Sequence, residues 1–150
     1  MRSCGNFGAE SIFYTGSRYP RARDLNPDLP KMSRNVSINI PVTGVDSLIE
    51  VVPEGMKIIC VELAENAESL TTYEHPPHAF YIFGPEDGTL TQEIIDKADA
   101  VVYIPTVGCL NLAASVSVLL YDRSVKLPRL DEGNDLILKN RDRNNNIRVR

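Results

Sequence analysis

Two stretches decide the fold: Ile82-Phe83-Gly84-Pro85-Glu86-Asp87-Gly88 and, about twenty residues on, Ile104-Pro105-Thr106-Val107-Gly108-Cys109-Leu110-Asn111-Leu112. Each starts at the end of an apolar run, passes through a loop bearing glycine and proline, and leads into a helical pattern. Two such loops at neighbouring strand ends make a backbone-lined pocket of the kind that holds a nucleoside-like cofactor. Singly, each has a plainer explanation. Pro85-Glu86-Asp87-Gly88 satisfies ordinary turn chemistry, and Asn111 is a common type of helix cap. The pair carries the pocket.

Residues 79–83 (AFYIF) and 100–104 (AVVYI) are the strands feeding these loops, and residues 56–63 (MKIICVEL) and 11–15 (SIFYT) add two more. A short helix is expected over 91–97, capped by Thr91 or Thr89, and a longer one over 110–123. The small residues Ala113, Ala114, Ser115 and Ser117 let that second helix pack close to other backbone. A helical pattern at 45–52 has Asp46 as its cap and stops at Pro53 and Gly55. Residues 17–37 read as a long basic loop with Pro20, Pro27 and Pro30. Strands apolar at nearly every position and alternating with helices predict an α/β fold with a parallel sheet covered on both faces. Ligands in such folds bind at the carboxyl ends of strands, where Gly84 and Gly108 stand.

The chain of 150 residues is one domain long, and no apolar run reaches membrane-spanning length, so no membrane partner is expected. Cys4, Cys60 and Cys109 are too few and scattered for a disulfide framework or a zinc site, which makes a reducing, cytoplasmic setting the default. The net charge of −4 hides an asymmetry. Residues 1–34 carry six Lys/Arg against three acids and residues 139–150 five against one, while 35–138 carry five against sixteen. Basic ends attract polyanions even on an acidic protein, because the local field governs phosphate attraction. A solvated face built from Arg18, Arg21, Arg23, Lys31 and Arg34 is an equally good explanation of the charge alone.

Cys109 has no histidine near it in sequence to activate it and reads as a small packing or hydrogen-bonding residue. His75 and His78 flank Pro76-Pro77 with no third ligand in view, so a structural or solvent-facing role is expected and no metal. Tyr19, inside Arg18-Tyr19-Pro20-Arg21-Ala22-Arg23, interleaves an aromatic with basic residues as single-stranded or looped RNA partners require.

On these residues, positions 1 to about 124 resemble the SpoU/TrmH family of the SPOUT superfamily of RNA methyltransferases. Phe83-Gly84-Pro85-Glu86 with Gly88 and Leu90 is similar to the family's second motif. Ile104-Pro105 through Leu110-Asn111-Leu112, with Leu119-Leu120-Tyr121-Asp122, is similar to its third, and Met1-Arg2-Ser3-Cys4 with Phe7-Gly8-Ala9 to the tail of its first. The resemblance implies a Rossmann-like parallel sheet whose C-terminal segment threads a loop to form a trefoil knot, a rare exception to the rule against knots. It also implies S-adenosyl-L-methionine as cofactor, a homodimer, and methyl transfer to a ribose 2′-hydroxyl of tRNA or rRNA. Carried over by motif, Gly84, Ile104 and Leu110 contact the cofactor largely through backbone. Leu63 helps close the adenine pocket, and Cys109 stands where the family often has serine. Arg2 matches the catalytic arginine, Glu86 the second-motif acid and Asn111 the third-motif asparagine. Arg18, Arg21 and Arg23 are the expected RNA contacts.

The family's pattern puts a strand and an asparagine- and glycine-bearing loop ahead of the arginine, here the second residue. The first strand is therefore expected to lie upstream or to be missing. The expected organisation is an N-terminally incomplete methyltransferase domain over 1–127 and a polar, basic, disordered tail over 128–150. Two alternatives stand beside this. One is a catalytically impaired RNA- or cofactor-binding member of the same fold. The other is a flavodoxin-like nucleotide-binding module, for which Thr15-Gly16-Ser17-Arg18 is a faint phosphate loop.

Overall fold

The computed structural model describes residues 1–25, 40–127 and 132–149, and of Arg23 the backbone only. Its centre is a four-stranded, all-parallel sheet in the order β4-β6-β3-β5, built from β3 (Lys57–Val61), β4 (Glu68–Ser69), β5 (Ala79–Phe83) and β6 (Ala100–Tyr103). The two strands that feed the motif loops, β5 and β6, flank β3, so all three carboxyl ends emerge side by side. Side chains alternate between the faces, as the two-residue period of a strand demands. Ile59 on β3 and Val102 on β6 form one buried cluster with Leu70, Tyr73 and Leu119. Cys60 and Ile82, one residue out of phase, are equally buried on the other face. Two covered faces explain the unbroken apolar runs.

Leu119 comes from α4 (Leu112–Lys126), which lies over the first face. Its start is fixed by Asn111, whose side-chain oxygen accepts the Ala114 N–H at 2.8 Å. Helix α1 (Arg2–Asn6) rests on α4 with the Ser3 and Ser117 hydroxyls 2.7 Å apart. The small residues expected to permit close packing thus do so at Ser117. Helix α3 (Gln92–Asp96) joins β5 to β6 with Thr91 at its N-cap, although the Thr91 side chain makes no capping bond.

Four expectations need correction. The expected strand near residue 12, β1 (Ile12–Tyr14), is not in the main sheet. It pairs in parallel with β2 (Val42–Gly44) as a separate ladder, and Phe13 meets Phe80 of β5 with ring centroids 5.7 Å apart. Residues 45–52 form turns rather than a helix, since eight residues stopped by Pro53 and Gly55 give too little propagation to offset nucleation. Within the basic segment expected as loop, Arg18–Leu25 is a helix, α2. Pro20 falls in its first turn, where a missing N–H costs nothing. The remainder of that segment, residues 26–37, lies outside the described residues, as do 128–131 in the tail. Finally, the tail is not wholly irregular: Asn134–Asn140 forms α5, exposed along its whole length. Among the described residues no helix is long and apolar enough to cross a membrane.

Candidate functional site

The carboxyl ends of β3, β5 and β6 open onto a cleft of about 170 Å³ lined by Glu62, Leu63, Gly84, Glu86, Ile104, Cys109 and Leu110, among others. A second hollow of about 380 Å³ adjoins it, sharing Leu63, Tyr103, Ile104 and Thr106. The first alone is smaller than the roughly 300–1,000 Å³ usual for a ligand site, whereas the adjoining second falls within that range. All five residues expected to hold a cofactor line the first cleft, and Glu86 joins them. The two loops do converge.

Gly84 leaves room for the Glu62 carboxylate, and its backbone torsion makes no special demand. A Cβ on it would sit 2.9 Å from Glu62 Oε2. Gly108 differs, since a Cβ there meets nothing within 4 Å. In the second loop the Thr106 hydroxyl donates to the Gly108 carbonyl at 2.6 Å, which tightens the turn. Cys109 is exposed at the cleft, whereas Cys60 is buried beneath it. Burial, helped by the Glu62 charge, pushes the Cys60 thiol up to about 11, so it is an inert packing group.

Glu62 is the residue that motif reading passes over. Its Oε1 accepts the Leu63 N–H at 3.0 Å and its Oε2 the Leu90 N–H at 2.9 Å, which ties the end of β3 to the loop after β5. The signal was available: an acid ending an apolar strand of a parallel sheet stands where ligands bind. Among the described residues, Glu62 and Glu86 are the only charged ones lining either hollow.

The other expected residues lie elsewhere. Arg2 is exposed on α1 and does not line the cleft, and among the described residues no ion pair joins it to Glu86. Asn111 caps α4 and does not line the cleft, although its neighbours Leu110 and Leu112 do. Arg18 makes a bidentate pair with Asp87, with Nη2 to Oδ2 at 2.5 Å, so α2 is fastened to the same loop that carries Gly84 and Glu86. That bond holds the Asp87 carboxyl below its usual range and raises the Arg18 guanidinium. Arg21 is exposed on α2, and the Arg23 side chain lies outside the described residues.

His75 is buried in a polar network at the opposite end of α4. Its Nδ1 is 2.6 Å from the Tyr81 hydroxyl and its Nε2 2.9 Å from Asp122 Oδ2. Arg123 donates to the carbonyls of Pro76 and Pro77 and to the Tyr81 hydroxyl, and Lys126 to those of Leu70 and Tyr73. The structural role expected for His75 is the one it has, and His78 is exposed.

Comparison with known proteins places these features in a family. The profile of the SpoU rRNA Methylase family matches residues 1–121. Comparison with curated proteins finds no match. Among solved structures, the TrmH/SpoU tRNA modifying enzyme of A. aeolicus matches at 19% identity and a TM-score of 0.59, over 83% of this chain and 65% of that one. An RNA 2′-O ribose methyltransferase matches at 20% identity and 0.60, over 83% and 49%. The AdoMet-bound rRNA methyltransferase from Sinorhizobium meliloti matches at 19% and 0.59, over 84% and 49%. The chain therefore spans between half and two thirds of the length of these structures. At such identities the likeness concerns the fold.

Proposed function

The chain belongs to the SpoU rRNA methylase family, and on that premise we propose that it transfers a methyl group from S-adenosylmethionine to a ribose 2′-hydroxyl of tRNA or rRNA. The observation that carries this reading is the single cleft into which the Gly84–Gly88 and Ile104–Leu110 loops converge. Its chemistry fits the cofactor. Apolar Leu63, Phe83, Ile104 and Leu110 suit an adenine ring, and two carboxylates with no Lys, Arg or His among the lining residues suit a ligand bearing positive charge. The same lining is ill matched to phosphate, which disfavours a flavodoxin-like nucleotide module.

When bound, S-adenosylmethionine would supply an electrophilic methyl group to the ribose oxygen, leaving as the neutral thioether, and the hydroxyl proton would pass to water or an RNA phosphate. The protein's task is alignment, which contributes about 7–11 kcal/mol where attack geometry is enforced. Gly84, Ile104 and Leu110 hold the cofactor through backbone edges, with Leu63 and Cys109 closing the pocket around it. Arg2 stays protonated and is not a base. Its role is to orient the RNA and neutralise phosphate, with Glu86 in the cleft and Asn111 at the start of α4 completing the catalytic set. Arg18, Arg21 and Arg23 face RNA, and a homodimer lets one subunit's basic segment complete the other's pocket. The family's trefoil knot and a cytoplasmic setting belong to the same reading.

One observation favours a second reading, a member that binds cofactor without transferring methyl: Arg2 does not line the cleft. Incubation with methyl-labelled S-adenosylmethionine and total RNA, followed by mapping of the labelled nucleotide, separates the two. Transfer to ribose is expected, and Arg2→Ala abolishes it while calorimetry finds cofactor affinity within about twofold of wild type. Cofactor binding with no labelled RNA supports the second reading, and no cofactor binding rejects both.

A further inference from the structure

We propose that Glu62 is a charge-selecting residue of the cleft, a fixed carboxylate that makes it hold the cationic sulfonium donor more tightly than the neutral thioether left after transfer. The inference rests on the reading of the cleft as the methyl-donor site and goes beyond it by naming what distinguishes donor from product.

Four features of the structure converge on it. Glu62 is held to the sheet by its own N–H, which donates to the Val102 carbonyl at 3.0 Å, and it lines the cleft. Its side chain is pinned at both oxygens by the Leu63 and Leu90 N–H groups. An ionised carboxylate has about four acceptor sites, so two bonds leave half of its capacity for a ligand. Gly84 makes the placement possible, because any side chain there would press on Oε2 from 2.9 Å. Finally, among the described residues no ion pair engages Glu62, and the only other charge lining the cleft is Glu86, exposed at its edge. A pinned negative charge with no counter-ion in a partly enclosed site attracts a cation far more strongly than the same charge in open water.

Calorimetric dissociation constants for S-adenosylmethionine and S-adenosylhomocysteine test this on wild type, Glu62→Gln and Glu62→Asp. The ligands share adenosine, amino and carboxyl groups and differ in one methyl group and one positive charge. Glu62→Gln, which keeps size, removes charge and can accept only one of the two N–H bonds, is expected to lower the donor-over-product preference roughly tenfold, on top of any loss shared by both ligands. Sinefungin, with an amine in place of the sulfonium, is expected to weaken with the donor. If Glu62 only braces the loop, Gln weakens both ligands alike and the unmoved ratio overturns the proposal. Glu62→Asp keeps the charge but shortens the reach to Leu90, so both affinities fall while the preference survives. Should the Gln variant fail to fold, the Asp variant decides, and a collapsed preference there counts against the proposal. Wild type that binds neither ligand overturns the cofactor reading and this inference with it. Wild type that binds both, with an unmoved ratio in Gln, overturns this inference alone.

Discussion

The two ends of α4 are built on opposite plans. At its C-terminal end, His75, Tyr81, Asp122, Arg123 and Lys126 bond one another and four backbone carbonyls, and among the described residues no buried side-chain polar atom lacks a partner. At its N-terminal end, residues 105–112 are all exposed, and the bonds there stay within the loop and cap. One helix thus joins a saturated polar knot to a set of exposed backbone groups. A satisfied network rigidifies, whereas exposed loop backbone is free to bind. The same division separates stability from ligand affinity, and each can be perturbed alone.

The largest effect is expected from His75→Ala. It empties a buried site and strips partners from Tyr81 and Asp122, at a cost of about 2–4 kcal/mol in unfolding free energy. Urea denaturation measures the loss. Cofactor affinity should stay within about twofold, and a parallel collapse of binding would show the two ends to be one unit.

Gly84→Val makes the complementary cut. Its side chain displaces the Glu62 carboxylate from the Leu90 N–H and enters the cleft. Cofactor affinity is expected to fall at least tenfold, about 1.4 kcal/mol, with little change in urea midpoint. Unfolding of this variant would mean that the loop after β5 belongs to the stable half.

Acid tests the saturated end without mutation. Burial, the leading cause, holds the His75 imidazole below its ordinary 6.5, with Arg123 and Lys126 adding to the depression and Asp122 opposing it. Between 6.5 and the lowered value the unfolded chain binds a proton that the folded protein refuses. The stability present above pH 6.5 is therefore lost as pH falls through that window. His75→Gln should flatten this part of a Tm–pH profile, and an unaltered slope would assign it to other groups.

What could be read in the sequence follows the range of the forces involved. Strands β3, β5 and β6 and the Asn111 cap are legible because apolar runs bounded by Gly, Pro and Asn are local signals. The cleft residues follow once β5 and β6 are known to flank β3 in one parallel sheet. Strand β2 has three residues and β4 two, too short for any period to show. The His75–Asp122 bond spans 47 residues and has no local signature. An acid ending an apolar run, as Glu62 does, reads as a boundary, and the placement of its carboxylate depends on a backbone N–H 28 residues away.

The smallest effects fall on the pair that links α2 to the open end. Arg18 and Asp87 are both largely exposed, with 70% and 63% of their side chains accessible, and solvent screens such pairs, so neither Arg18→Ala nor Asp87→Ala should shift Tm measurably. RNA affinity is the sharper readout, because on the proposed function the phosphate backbone competes with Asp87 for the Arg18 guanidinium. Arg18→Ala is expected to weaken RNA binding about two- to threefold and to reduce the slope of log K against log salt by about one. Asp87→Ala should act in the opposite direction, since it frees the guanidinium and removes a repelling charge beside the RNA. If both variants weaken binding equally, the pair acts by holding the loop in shape, and α2 belongs with the rigid half of the molecule.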